Sequence, residues 1–251
     1  MGMVATSSIV FACIAGGAML GLFLRSVLSA RYLGPESREV VKLGMGLIGT
    51  MTALLLGMQI GSAKDAYDNA DAEVKEMAGK VIYLDRLLAN YGPESAKARE
   101  IFRVSVSRGV DQVWPPRGGA ASFPSPIEVG GEALYHEPQA LSPEGPAKAA
   151  LKAEAIALAL DIGRLRWLVF AQAKSTGSVV FLVLVVVWLT LVFASFGLLG
   201  TYNALVVVTL IVCALSVSTA IGLIMELNRP FGGLIQISSE PMRNAIGLMG
   251  T

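Results

Sequence analysis

Three stretches of this chain, residues 1–24, 43–63 and 175–225, contain no Asp, Glu, Lys or Arg. The 20 basic and 19 acidic residues all fall in the remaining positions. There they make up about a quarter of the residues, the ordinary density of a globular chain. Such segregation constrains the fold more than any motif does. A helix needs about 20 mainly apolar residues to cross the hydrocarbon core of a bilayer, and stretches of that length without charge are what a lipid-adapted chain requires. An ordinary water-soluble enzyme is excluded.

Four segments reach membrane length: residues 7–24, 43–62, 178–199 and 204–225. Only Gly200-Thr201-Tyr202-Asn203 separates the last two, which predicts a tight antiparallel hairpin. Glycines mark the first two. Gly46, Gly49, Ala53, Gly57 and Gly61 form a small-residue stripe on span two, and Ala12 with Gly16, then Gly17 with Gly21, repeat the device on span one. Small residues at this spacing let helices approach closely in lipid, so both stripes are expected to be packing surfaces.

The block between spans two and three, residues 63–174, reads as helical and soluble. Tyr67, Ala70, Val74, Met77, Val81, Leu84 and Leu88 recur at alternating steps of three and four, with charged residues between them. This is an a/d seam, and it predicts that span two leaves the membrane as one helix running to Asn90. At 1.5 Å per residue such a helix is roughly 70 Å long. Asn90-Tyr91-Gly92-Pro93 stops it, since Gly suits a helix end and Pro a helix start. A second helix is expected over 94–113. Residues 115–146 hold seven of the eleven prolines and read as a loop. A third helix begins near Ala147 and feeds span three. The chain thus divides into 1–62, 63–174, 175–225 and a tail, 226–251. Its class is an all-α integral membrane protein with four transmembrane helices.

Little points to catalysis. His136 stands alone among Tyr135, Glu137 and Pro138, with no second ligand for a metal, and reads as a solvated loop residue. Cys13 and Cys213 lie within charge-free stretches and read as buried apolar thiols rather than a disulfide. The net charge of +1 favours no nucleic-acid partner, which would need a clustered basic excess. No cofactor is implied. The start of the chain lacks the basic residues that precede a secretory signal's apolar run.

The polar residues inside the spans carry more information, because each is expected to face protein or water. Thr52, Leu55, Gln59 and Ser62 share a face of span two, and Thr209, Ser216 and Thr219 a face of span four. Two readings stay open: hydrogen bonds between helices, or the lining of a pore. After span four, Glu226, Asn228, Arg229, Pro230 and Phe231 read either as an interfacial stop signal or as a structural lock between tail and soluble helices.

Several motifs together resemble the bacterial bestrophin-like domain family. They are Val41-Lys42-Leu43-Gly44, Ser62-Ala63-Lys64, Leu84-Asp85-Arg86-Leu87-Leu88, Tyr91-Gly92-Pro93-Glu94, Arg166-Trp167-Leu168, and Glu226-Leu227-Asn228-Arg229-Pro230-Phe231 with Ile237-Ser238. The family is distantly similar to the bestrophins, pentameric anion channels whose second membrane helix lines the pore and continues into a helical cytoplasmic domain. Ala66-Tyr67-Asp68 resembles the motif at which that helix leaves the membrane. Two departures narrow what the likeness implies: span two holds no phenylalanine, and a single acid precedes Arg229. Neither an aromatic constriction nor a calcium clasp is therefore expected.

The resemblance implies a homo-oligomeric, pentameric channel for small anions such as chloride in a bacterial inner membrane. Its partners are the bilayer, its own copies and small ions, and Thr52, Leu55, Gln59 and Ser62 face the lumen. The alternative is a non-conducting scaffold or sensor whose soluble block binds a partner or ligand. Orientation is contested by charge. Arg25, Arg31, Arg38 and Lys42 in the first loop oppose Lys64, Lys75, Arg164, Arg166, Lys174 and Arg229 beside the soluble block. The resemblance favours a cytoplasmic soluble block.

Overall fold

The computed structural model describes residues 3–28, 34–115, 131–174 and 179–249, and among them there is no strand. Eight α-helices are described: α1 (Met3–Val27), α2 (Pro35–Tyr91), α3 (Ala96–Val113), α4 (Gly131–Ala140), α5 (Pro146–Lys174), α6 (Val179–Leu199), α7 (Ala204–Leu227) and α8 (Glu240–Leu248). Four of them, α1, α2, α6 and α7, are long and apolar enough to cross a membrane. The chain divides into two compact units, residues 1–66 with 176–228 and residues 67–175 with 229–251. The single helix α2 supplies part of each.

In the first unit α1 packs against α6 and α7. Glycine makes the α1–α6 approach. A Cβ on Gly17 would lie 2.7 Å from the Thr190 methyl, one on Gly21 would overlap the Ala194 carbonyl oxygen, and one on Gly197 would overlap that of Ala18. Ile14, Val185, Phe193, Ala214 and Ile221 fill the centre. The hairpin turn carries its own cap, with the Asn203 side chain accepting from the Leu205 amide at 3.3 Å. Cys13 and Cys213 lie exposed on this unit rather than buried. A thiol is a small hydrophobe, so an outward position in an apolar segment costs it little.

Span-borne hydroxyls behave differently from expectation. Thr50, Thr52, Thr190, Ser195, Thr209, Ser218 and Thr219 each donate to a carbonyl three or four residues earlier on their own helix, at 2.5–2.9 Å. Backbone bonding of this kind satisfies a Ser or Thr without a second helix. Such a residue can therefore sit on any face.

The second unit is built on the predicted seam. Ala70, Val74, Val81, Leu84 and Leu88 from α2 meet Phe102, Val106 and Val110 from α3, with Ala155, Ala159 and Ile162 from α5. A bidentate pair pins α3 to α2: Arg99 Nε and Nη2 donate to the Asp85 carboxylate at 2.9 and 2.8 Å. Lys80 pairs with Glu76 and with Asp161 of α5. At the end of α2, Gly92 takes φ +124°, a conformation open to glycine. Ser95 then donates to the Leu88 carbonyl and, at 2.8 Å, to that of Gly92. The Tyr91-Gly92-Pro93-Glu94 motif is a capped corner.

The 115–146 stretch is not loop throughout. Residues 116–130 lie outside the described residues, but Gly131–Ala140 forms α4. Pro138 sits near its end, where few hydrogen bonds are lost, and Lys152 closes it by donating to Gln139 and Leu141 carbonyls at 2.7 Å each. His136 is exposed on this helix.

The corner after α2 gives a pH prediction. Lys148 Nζ donates to Glu94 Oε1 at 2.8 Å, and that bond holds the Glu94 carboxyl below its ordinary 4.5. A carboxyl lowered on folding adds stability that is present above its unfolded value and lost as pH falls through the folded one. Between about pH 6 and about pH 3, the unfolding temperature of the wild type is therefore expected to fall more steeply than that of Lys148→Met. Parallel profiles would contradict it.

Candidate pore helix

α2 presents two unlike faces along its membrane-length part. Val41, Met45, Ile48, Thr52, Leu55, Gln59 and Ala63 are buried or half-buried, and their steps of three and four define one stripe. Leu43, Leu47, Thr50, Leu54, Gly57, Met58 and Gly61 on the other side are exposed. Only 6% of the apolar part of α2 is buried within the chain, against 33% for α1 and for α6. The first unit thus leaves most of this helix uncovered.

The structure separates the four polar-stripe candidates. Thr52 is 2% exposed, its hydroxyl bound to the Ile48 carbonyl at 2.7 Å. Leu55 packs against the α1–α6–α7 core. Gln59 is half-buried, and its Nε2 is buried without a hydrogen-bond partner among the described residues. Ser62 is exposed. Three of the four therefore turn toward the chain's own helices, and one turns away.

The glycine stripes also part company. Gly17 and Gly21 of α1 are consumed by contact with α6, whereas a Cβ on Gly46, Gly49, Gly57 or Gly61 of α2 would meet nothing within 4 Å among the described residues. Leu54 and Met58, 76% and 62% exposed, stand on the same uncovered side.

The residues after α7 fall into two groups. Glu226 is buried, and Asn228 caps α7 by donating from Nδ2 to the Ile224 carbonyl at 2.9 Å. Arg229 is exposed, and its carbonyl accepts from the Gly232 amide at 3.1 Å. In the second unit the Pro230 carbonyl accepts from the Ile237 amide at 2.7 Å. Phe231 is buried edge-on against Trp114, with ring centroids 5.7 Å apart. Trp114 also donates from Nε1 to the Ile237 carbonyl at 2.8 Å, and Arg243 of α8 donates to the Trp114 carbonyl at 3.1 Å. Trp114 and Arg243 are therefore the centre of the tail's attachment. Sequence patterning gave them no signal, since a Trp before two prolines reads as the start of a loop.

Among the described residues no group of His, Cys, Asp and Glu could hold a metal ion. What the site offers is a long, uncharged helix face with small and aliphatic side chains. Against known proteins, the family model of the bestrophin-like domain matches residues 12–242. No curated protein and no solved structure matches the chain.

Proposed function

The chain belongs to the bestrophin-like family, and from that membership we propose that several copies assemble into a membrane channel for small anions such as chloride, with α2 around the axis. The observation that supports this reading is the uncovered face of α2. A membrane-length helix with only 6% of its apolar window buried by its own chain needs other surroundings, and copies of itself around an axis provide them. Five copies is the number the bestrophin likeness favours.

The lumen wall in this reading is the open side of α2: Leu54, Gly57, Met58 and Gly61, with Ser62 at the exit. Thr52, Leu55 and Gln59 then support that wall from behind, where the Gln59 amide remains available to a water or a neighbouring copy. A ring of Leu54 and Met58 is apolar, and apolar constrictions gate by dewetting. The soluble unit is assigned to the cytoplasmic side of a bacterial inner membrane. In intact cells a cysteine at Ser142 should stay unlabelled by a membrane-impermeant thiol reagent, and labelling would reverse the assignment.

Efflux from liposomes tests the function. Purified protein is expected to dissipate a chloride gradient faster than protein-free vesicles, with little potassium flux, and Leu54→Asn should raise the rate several-fold by wetting the constriction. Protein-free rates for both wild type and Leu54→Asn, across varied pH, calcium and membrane tension, would favour the non-conducting scaffold.

A further inference from the structure

Between α2 and α6 the first unit leaves a cavity of about 590 Å³, within the size range of small-molecule sites. Its walls are mainly apolar, with Gly46, Gly49 and Ala53 from α2 and Phe196 from α6, and the two hydroxyls among them, Thr50 and Ser195, bond their own helix backbone. It is open because two wall positions are glycine, and a Cβ on Gly46 or Gly49 would meet nothing within 4 Å among the described residues.

One cation lines this cavity and two more stand near it in the chain's fold. Lys42 lines it. Arg38, one turn earlier on α2, is half-buried, and its Nε is buried without a hydrogen-bond partner among the described residues. From α1, Arg25 donates Nη1 to the carbonyl of Leu199, a wall residue, at 3.4 Å. The nearest carboxylates on α2, Glu36 and Glu39, are exposed, and neither forms an ion pair among the described residues.

An apolar slot within membrane-length helices, with one cation on its wall and two nearby, has the chemistry of a phospholipid site. Lys and Arg side chains pair with phosphate oxygens through charge-assisted hydrogen bonds. We propose that an anionic phospholipid occupies this cavity, its acyl chain along Gly46, Gly49 and Ala53 and its phosphate at Lys42 and Arg38. A free anion would meet the cations and leave the walls facing water.

The test uses the full chain, purified in detergent with equal dioleoyl phosphatidylglycerol and dioleoyl phosphatidylcholine, washed, and assayed by mass spectrometry for retained lipid. About one phosphatidylglycerol per chain is expected, in at least tenfold preference over phosphatidylcholine. Lys42→Ala combined with Arg38→Ala should lower that retention about tenfold or more, because each cation contributes separately. Gly49→Leu, whose Cβ would meet nothing within 4 Å among the described residues and whose side chain would occupy the slot, should abolish it. Excess glycerol 1-phosphate should leave the retained lipid in place.

Equal retention of the two lipids would overturn the proposal, as would retention unchanged in the variants. Complete displacement by glycerol 1-phosphate would make phosphate alone the ligand and refute the acyl slot. A lipid-free wild type whose particle mass drops in Gly49→Leu would assign the cavity to a second copy. Should Gly49→Leu fail to fold, Gly46→Leu and the headgroup preference of the wild type decide the outcome.

Discussion

Arg99→Leu is expected to destabilise the second unit by about 3–5 kcal/mol, the usual cost of leaving one member of a buried pair alone. Asp85 is 3% exposed at its side chain and Arg99 26%. The two changes are therefore unequal. Without Arg99 the carboxylate stays buried and loses both its 2.9 and 2.8 Å bonds. Without Asp85 the guanidinium can still reach water. Asp85→Asn should accordingly cost less than Arg99→Leu. At about 2–4 °C per kcal/mol for a chain of this size, the arginine variant should unfold about 6–20 °C below the wild type in detergent. Equal losses, or a loss under about 1 kcal/mol, would mean that the pair behaves as an exposed one.

Gly21→Leu carries the second large effect. Its Cβ would overlap the Ala194 carbonyl oxygen, and backbone cannot rotate away as a side chain can. Overpacking ordinarily costs 1–3 kcal/mol, and a backbone overlap should cost about 3 kcal/mol or more by forcing α1 away from α6. Gly197→Leu, which would overlap the Ala18 carbonyl from the other helix, should match it. Gly16→Leu is the control, since a Cβ there meets nothing within 4 Å among the described residues. Thermal unfolding of the three purified variants checks this order. A Gly16 variant as unstable as the Gly21 variant would point to lost helix flexibility rather than to contact.

The spans were legible because charge is absent where lipid would be, and that signal needs no partner to be read. The seam from Tyr67 to Leu88 was legible for a similar reason: its apolar spacing is long enough to define one face. Where α2 begins was less clear. Glu36, Arg38, Glu39 and Lys42 interrupt the apolar run, yet the helix starts at Pro35, because Pro is favoured at a first helical turn. Helix α4 was obscured by Pro138, which sits late enough to be tolerated.

The face of α2 was the least legible feature. Thr52, Leu55 and Gln59 form a polar-leaning stripe, and a stripe on one helix does not say which neighbour it meets. Thr52 satisfies its hydroxyl on its own backbone, which removed the polar signal that pointed to water. The two glycine stripes look alike in sequence for the same reason. One is used inside the chain, the other left open, and only tertiary structure distinguishes them. The tail's attachment at Trp114 joins residues more than a hundred positions apart, beyond any local pattern.

A structure of the assembled particle in lipid would locate α2 relative to the symmetry axis. Copies of α2 should surround that axis with Leu54, Met58 and Ser62 toward a water-accessible path, and with Thr52 and Leu55 turned back into each subunit. An arrangement with α2 at the lipid-facing periphery, or with no path along the axis, would contradict the channel.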